Sequence, residues 1–149
     1  MNLNPEKKIV LEWKGDYKLE AQNEKGISVK YDATIEHGGE ETALSPMENV
    51  LASLAACSSY DVLIILKKKR QKISNFVVEA TAERRKELLP KIFTKIHLKY
   101  ILKGQKIDPE AVKRAIQLSE EKYCSVGAML KNTVEITYSY EIVDEQMGT

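Results

Sequence analysis

The sequence predicts an α+β fold with largely antiparallel sheets, and three observations carry that reading. Segments that alternate apolar and polar residues come in runs, near the start of the chain and again before residue 103, rather than one strand per helix. A long apolar stretch with a marked helix start separates the runs. A second helical stripe and one last alternating segment close the chain. Strands, long helix, hairpin, helix, strand is not the order of a doubly wound parallel sheet. With 149 residues, a single domain spanning 1–149 is expected, long enough to bury a core.

The elements follow in order. Lys8–Lys14 (KIVLEWK) alternates, Lys14-Gly15-Asp16 signals a turn, and Tyr17–Gln22 alternates again. Asn23–Gly26 (NEKG) turns the chain into Ile27–Ile35, followed by the loop His37–Leu44. Ser45, Pro46 and Glu48 form a capping box with proline at the first helical position, so a helix starts there and runs to about Arg70. Val50, Leu51, Leu54, Ala55, Val62, Ile64, Ile65 and Leu66 go nearly all round it, which predicts cover by other elements on most faces. Segments within Ile73–Glu87 and Ile92–Lys103 make a hairpin around the proline-containing turn Leu88–Lys91. Asp108-Pro109 opens a helix over Glu110–Tyr123, with Ala111, Val112, Ala115, Ile116 and Leu118 as its apolar stripe. Cys124 follows at a break, and Val134–Val143 is the final strand.

Composition narrows the function. Apolar residues make up 43% and charged residues 30%, with a net charge of +1. No strong field draws such a chain to nucleic acid or to an anionic membrane. The basic run Lys67–Arg70 reads as a solvated last turn that complements the helix dipole. Val50–Leu66 is the nearest approach to a membrane span, but three serines and Asp61 interrupt it, so it reads as a buried helix of a soluble protein. The N-terminal residues carry no apolar core of signal-peptide type, and two cysteines are too few for a disulfide-built secreted scaffold. A cytoplasmic location is therefore expected. His37 and His97 show no ligand spacing to each other or to a cysteine, so neither a metal nor another cofactor is expected.

Cys57, inside the apolar helix, and Cys124, after the second helix, are the only cysteines. Either they form a reactive thiol pair or both are small apolar core residues. Asp61 and Tyr60 lie four and three residues past Cys57 on the same helix. An unneutralised carboxylate at Asp61 would raise a nearby thiol's pKa; the alternative is a polar group hydrogen-bonded at an interface. Tyr60 suits either core or a pocket wall.

Three pieces resemble the OsmC/Ohr family of thiol-dependent peroxidases: SPMENVLASLAACSSYDV, KYCSVGAML, and the intervening FTKIHLKYILKG with DPEAVKRAIQLSEEKYC. The resemblance covers Ser45 to Lys131. It implies an OsmC-like fold in which two chains interlock as a homodimer, sheets wrap two central helices, and active sites lie at the dimer interface. It implies that Cys57 attacks a peroxide and becomes a sulfenic acid, that Cys124 resolves it as a disulfide, and that a small dithiol reductant recycles the pair in oxidative-stress defence. A redox-sensing or small-molecule-binding module of the same fold is the alternative. If the pair reacts, its Cα atoms should come within about 4.4–6.8 Å.

The resemblance also implies a catalytic role for Glu48 alongside Cys57 and Cys124. The family's glutamate stands ten residues before the cysteine, a position held here by Met47, whereas Glu48 stands nine before. Nine residues of straight helix rise about 13.5 Å, so a role for Glu48 requires the helix to bend or the glutamate to serve the partner subunit's site. The family's peroxidases use an arginine from the N-terminal half, yet this chain has none before Arg70. His37, Lys18, Lys30, Arg84 and Arg85 are the cations left to stand in for it.

Overall fold

The computed structural model describes residues 6–145, and the fold divides into two compact units, Met1–Val50 and Leu51–Thr149. The first unit holds a three-stranded antiparallel sheet of β1 (Val10–Trp13), β2 (Leu19–Gln22) and β3 (Ser28–Tyr31) in that order. The Gly15 and Gly26 turns join them, both glycines having positive φ, as such short reversals require. A single 3-10 turn, Ile35–His37, follows. This sheet buries little: Ile9, Leu11, Trp13 and Ile27 are all more than half exposed.

The long helix α1 (Pro46–Lys68) begins in the first unit and continues through the second. Its start is the predicted capping box. The Ser45 amide donates to the Glu48 carboxylate at 3.0 Å, and the Glu48 amide donates to the Ser45 hydroxyl at 3.3 Å. Two orphan donors of the first turn are thereby satisfied. The expectation of cover on most faces does not hold within one chain. Leu54, Ser58, Val62 and Leu66 are the buried positions, an i, i+4 stripe, while Tyr60, Leu63 and Ile64 stay open to solvent. One chain supplies packing for one face only. By length and apolar composition α1 would suffice to cross a membrane, but Ser58 and Asp61 are tied by hydrogen bonds to the rest of the second unit.

The second unit is built on β4 (Lys72–Arg84), β5 (Phe93–Gln105) and β6 (Glu135–Asp144), with β5 in the middle. β4 and β5 form the predicted antiparallel hairpin, and β6 lies parallel to β5. A parallel neighbour needs a crossover. Here α2 (Pro109–Leu118), a π turn (Ser119–Tyr123) and α3 (Ser125–Leu130) provide it. Period-two alternation along β5 sends Ile96, Leu98, Tyr100 and Leu102 into the core. The Asp108 carboxylate caps α2 by accepting the Glu110 amide at 3.0 Å, with Pro109 at the first helical position. Ala111, Val112, Ala115 and Ile116 form the buried stripe, but Leu118 is only half-buried and Ser119 takes the fully buried place after it. The predicted second helix thus ends its α geometry at Leu118, and its last turn widens to π.

Gly104 on β5 is fixed by close approach. A Cβ there would lie 2.1 Å from the Lys72 carbonyl oxygen, a backbone atom that cannot step aside. Gly104→Ala should destabilise the fold by about 1–3 kcal/mol, seen as a lower urea midpoint, whereas the exposed neighbour Lys103→Ala should change stability by less than about 0.5 kcal/mol.

Candidate functional site

The chemistry-bearing residues of the second unit gather where α1, β5 and the π turn meet. Cys57 is half-buried on α1, and Cys124 is buried as the residue that caps α3. The Cys124 sulfur accepts the Gly127 amide at 3.3 Å, and its own amide donates to the Ser119 carbonyl at 2.9 Å. The latter bond spans five residues, the signature of a π turn, a geometry frequent at functional sites. Gly127 is small for a reason: a Cβ there would sit 3.3 Å from the Cys124 sulfur and 3.5 Å from a Leu54 methyl.

Burial pushes the Cys124 thiol up to about 11. The Gly127 amide works against that shift, while a hydrogen bond to Cys57 and the charges of Cys57 and Asp61 add to it. No cation is among the groups acting on it. The two thiols, 67 positions apart in sequence (124 − 57), therefore feel each other directly. Both are free, and they are not at disulfide distance, so the approach within disulfide range expected from the sequence is not met in this structure. Cys124 is held by the π turn and by its own capping bond instead.

Beneath the thiols runs a chain of buried hydroxyls. Tyr100 on β5 hydrogen-bonds Ser58, Ser58 meets Ser119 at 3.1 Å, and Ser119 donates to the Asp61 carboxylate at 2.9 Å. A longer contact of 3.4 Å joins the Ser119 hydroxyl to the Ser58 carbonyl. Asp61 is thus a hydrogen-bonded buried-edge group. Among the described residues no buried side-chain nitrogen or oxygen lacks a partner, as low-dielectric surroundings demand. The Tyr100 hydroxyl is pushed up to about 12, first by burial; the Ser58 hydrogen bond opposes this, and the charges of Cys124, Asp61 and Glu120 reinforce it. Its ring stacks on Tyr138 with centroids 6.3 Å apart and tilts against Phe76 at 6.1 Å. These are diagonal cross-strand neighbours set by the register of β4, β5 and β6.

Sequence reasoning singled out Cys57, Cys124 and Asp61 from this cluster but missed Ser58, Ser119 and Tyr100. The available signal was a polar residue on an otherwise apolar face: Ser58 within the α1 stripe and Tyr100 among the inward residues of β5. Glu48 spends its carboxylate on the Ser45 cap, which holds it below the usual glutamate range. Tyr60 is exposed and lines no core. Four of the stand-in cations have other partners: Lys18 pairs with Glu40 at 2.8 Å, His37 bonds the Thr34 hydroxyl, and Arg84 and Arg85 donate to the Lys91 and Pro90 carbonyls at the hairpin tip. Lys30 stands opposite Glu20 of β2 in the strand register. His97 lies between the Thr137 and Ser139 hydroxyls.

An α+β chain with one thiol on a long central helix and a second at a helix start behind a π turn defines a two-thiol protein class. The chain belongs to the OsmC-like protein family, whose model matches residues 37–139. Over 103 residues it is 48% identical to the protein YhfA of Escherichia coli, a match spanning 69% of this chain and 76% of that protein. A crystal structure of a hypothetical protein from Aquifex aeolicus is 36% identical, with a TM-score of 0.81 over 94% of this chain and 98% of that one. An organic hydroperoxide resistance protein from Elizabethkingia anophelis, at 14% identity, shares the fold with a TM-score of 0.71 over 96% of this chain and 100% of that one.

Exposure separates the two thiols, and burial keeps Cys124 protonated. At pH 7 iodoacetamide should label Cys57 at least about tenfold faster than Cys124, as read by peptide mass. Labelling of Cys124 should keep rising with pH toward about 11, because burial keeps its proton on until then. Equal labelling at neutral pH would contradict this difference.

Proposed function

We propose that this protein is a thiol-dependent peroxidase, reducing organic hydroperoxides or hydrogen peroxide in cytoplasmic oxidative-stress defence. The observation that carries the proposal is the convergence of the two thiols: Cys57, half-buried and approachable, is close enough to help hold the proton on a buried Cys124. Family membership and the fold shared with a protein named for organic hydroperoxide resistance support it.

In the proposed reaction the Cys57 thiolate attacks one peroxide oxygen. The O–O bond breaks, the alcohol or water leaves with a proton from solvent, and Cys57 becomes a sulfenic acid. The Cys124 thiol then attacks the Cys57 sulfur. Its proton leaves with the sulfenic hydroxyl as water, and a disulfide remains. A small dithiol returns two electrons and two protons, becoming a disulfide itself. The high pKa of Cys124 suits the second role: a protonated buried thiol does not compete for peroxide, and it carries the proton that the departing hydroxide needs. Glu48 is assigned a supporting role through the site formed between two chains.

The proposed working form is a homodimer. The exposed Ile9, Leu11, Trp13 and Ile27 of the first unit, and Leu63 and Ile64 on α1, are apolar surface that a second copy would cover.

The alternative is a redox-sensing or small-molecule-binding module with weak turnover. The engagement of His37, Lys18, Arg84 and Arg85 elsewhere favours it, because electrostatic stabilisation at a reacting centre is often worth about 3–4 kcal/mol.

With a dithiol reductant, the wild-type protein should consume many equivalents of an alkyl hydroperoxide per chain. Cys57→Ser should abolish consumption, and Cys124→Ser should allow one round and then stall. Consumption no greater than that of the double cysteine variant would sink the peroxidase proposal, and a single equivalent per chain would favour the sensor. In sedimentation at micromolar concentration the protein should run as a dimer; a monomer would contradict the proposed assembly.

A further inference from the structure

Ser119 stands apart among the residues around the thiols, because it is bonded to both of the segments that carry them. Its side chain reaches α1: the hydroxyl donates to Asp61 at 2.9 Å and meets Ser58, the residue next to Cys57, at 3.1 Å. Its carbonyl accepts the Cys124 amide at 2.9 Å. It is completely buried, so water does not compete for these partners.

The direction of the bonds follows from proton counting. Ser119 has one hydroxyl proton, and Asp61 receives it. Ser58 must then donate to Ser119, and Tyr100 must donate to Ser58. The chain runs one way, from tyrosine through two serines to a carboxylate, and the acceptor at Asp61 orients every member.

We propose that Ser119 is a positioning residue for the thiol pair: anchored on Asp61 and Ser58, it holds the π turn so that Cys124 stays within reach of Cys57. Gly127 completes the arrangement by leaving room for the Cys124 sulfur. This rests on the reading that Cys124 resolves Cys57, and it adds what sets the encounter. An ordinary α-helical turn would bond residue 124 to residue 120. The π turn inserts one residue and moves the thiol around the helix axis, and Ser119 is where that wider turn is tied to α1.

The test uses glutathione rather than peroxide, so that it does not depend on peroxidase activity. Oxidised glutathione takes two electrons and two protons from Cys57 and Cys124, giving the intramolecular disulfide and two reduced glutathiones. The equilibrium ratio yields the effective concentration of one thiol toward the other. Ser119→Ala and Asp61→Ala should each lower it by about tenfold, because a displaced reacting group loses most of its proximity advantage. Asp61→Asn, whose amide oxygen still accepts the Ser119 proton, should stay within about threefold of wild type. That rescue also separates positioning from general damage to the fold. An unchanged effective concentration in Ser119→Ala and Asp61→Ala would overturn the proposal. A wild-type chain that forms no intramolecular disulfide in glutathione would overturn both it and the two-thiol chemistry. A wild type that closes normally, loses closure in Ser119→Ala, and yet consumes no peroxide would sink the peroxidase reading and leave the positioning role standing.

Discussion

The buried bridge between Ser58 and Ser119, terminated by Tyr100 on one side and Asp61 on the other, is the interaction on which the rest of the second unit's site depends. It joins three elements that are far apart in sequence: α1, β5 and the π turn after α2. Three hydroxyls placed this deep are costly unless each finds a partner, since an orphaned buried hydroxyl costs about 1–3 kcal/mol. Satisfied together, they fix the angular position of α1 over the sheet. A face lined only with leucine and valine would specify that angle less sharply. Because Cys57 adjoins Ser58, and the Cys124 amide hangs on the Ser119 carbonyl, the geometry of the thiols follows from the geometry of the hydroxyls.

The same arrangement makes the two cysteines unlike each other. Cys57 lies at the half-open edge of α1, where a small molecule can approach. Cys124 is enclosed, and its thiol is held up by burial, by its neighbour Cys57 and by Asp61, with only the Gly127 amide acting in the other direction. A thiol that is approachable and a thiol that is enclosed and protonated are suited to successive steps rather than to the same step. The acidic residue that family resemblance points to, Glu48, is committed to the start of α1 in a single chain. Its capping role accounts fully for its bonding there.

Much of this was legible in the sequence, and the parts that were not share a physical cause. The capping box at Ser45, the Asp108-Pro109 helix start and the alternation of β5 are local signals, read from residues within one turn or one strand of each other, and each is present as expected. The family and the α+β class follow from the same signals together with the cysteine segments. The parallel pairing of β6 on β5 is not local, because it depends on how the crossover through α2 and α3 returns the chain. The π turn was hidden inside a stripe that fits α-helix spacing up to Leu118, after which Ser119 is the buried residue. The hydroxyl bridge was invisible for the same reason. Serine in a helix and tyrosine in a strand each have ordinary local explanations, and only the tertiary structure brings them together. The exposed apolar faces of α1 and of the first sheet mark the opposite limit: periodicity predicted burial that a single chain does not provide.

The proposed chemistry requires Cys57 and Cys124 to act as one redox unit. Intact-mass spectrometry after one equivalent of alkyl hydroperoxide, without added reductant, reads this out. The protein should rapidly lose two hydrogens per chain, with the Cys57 and Cys124 peptides recovered as a single cross-linked species. Gain of oxygen on Cys57 with Cys124 still free, or no change in mass, would contradict it.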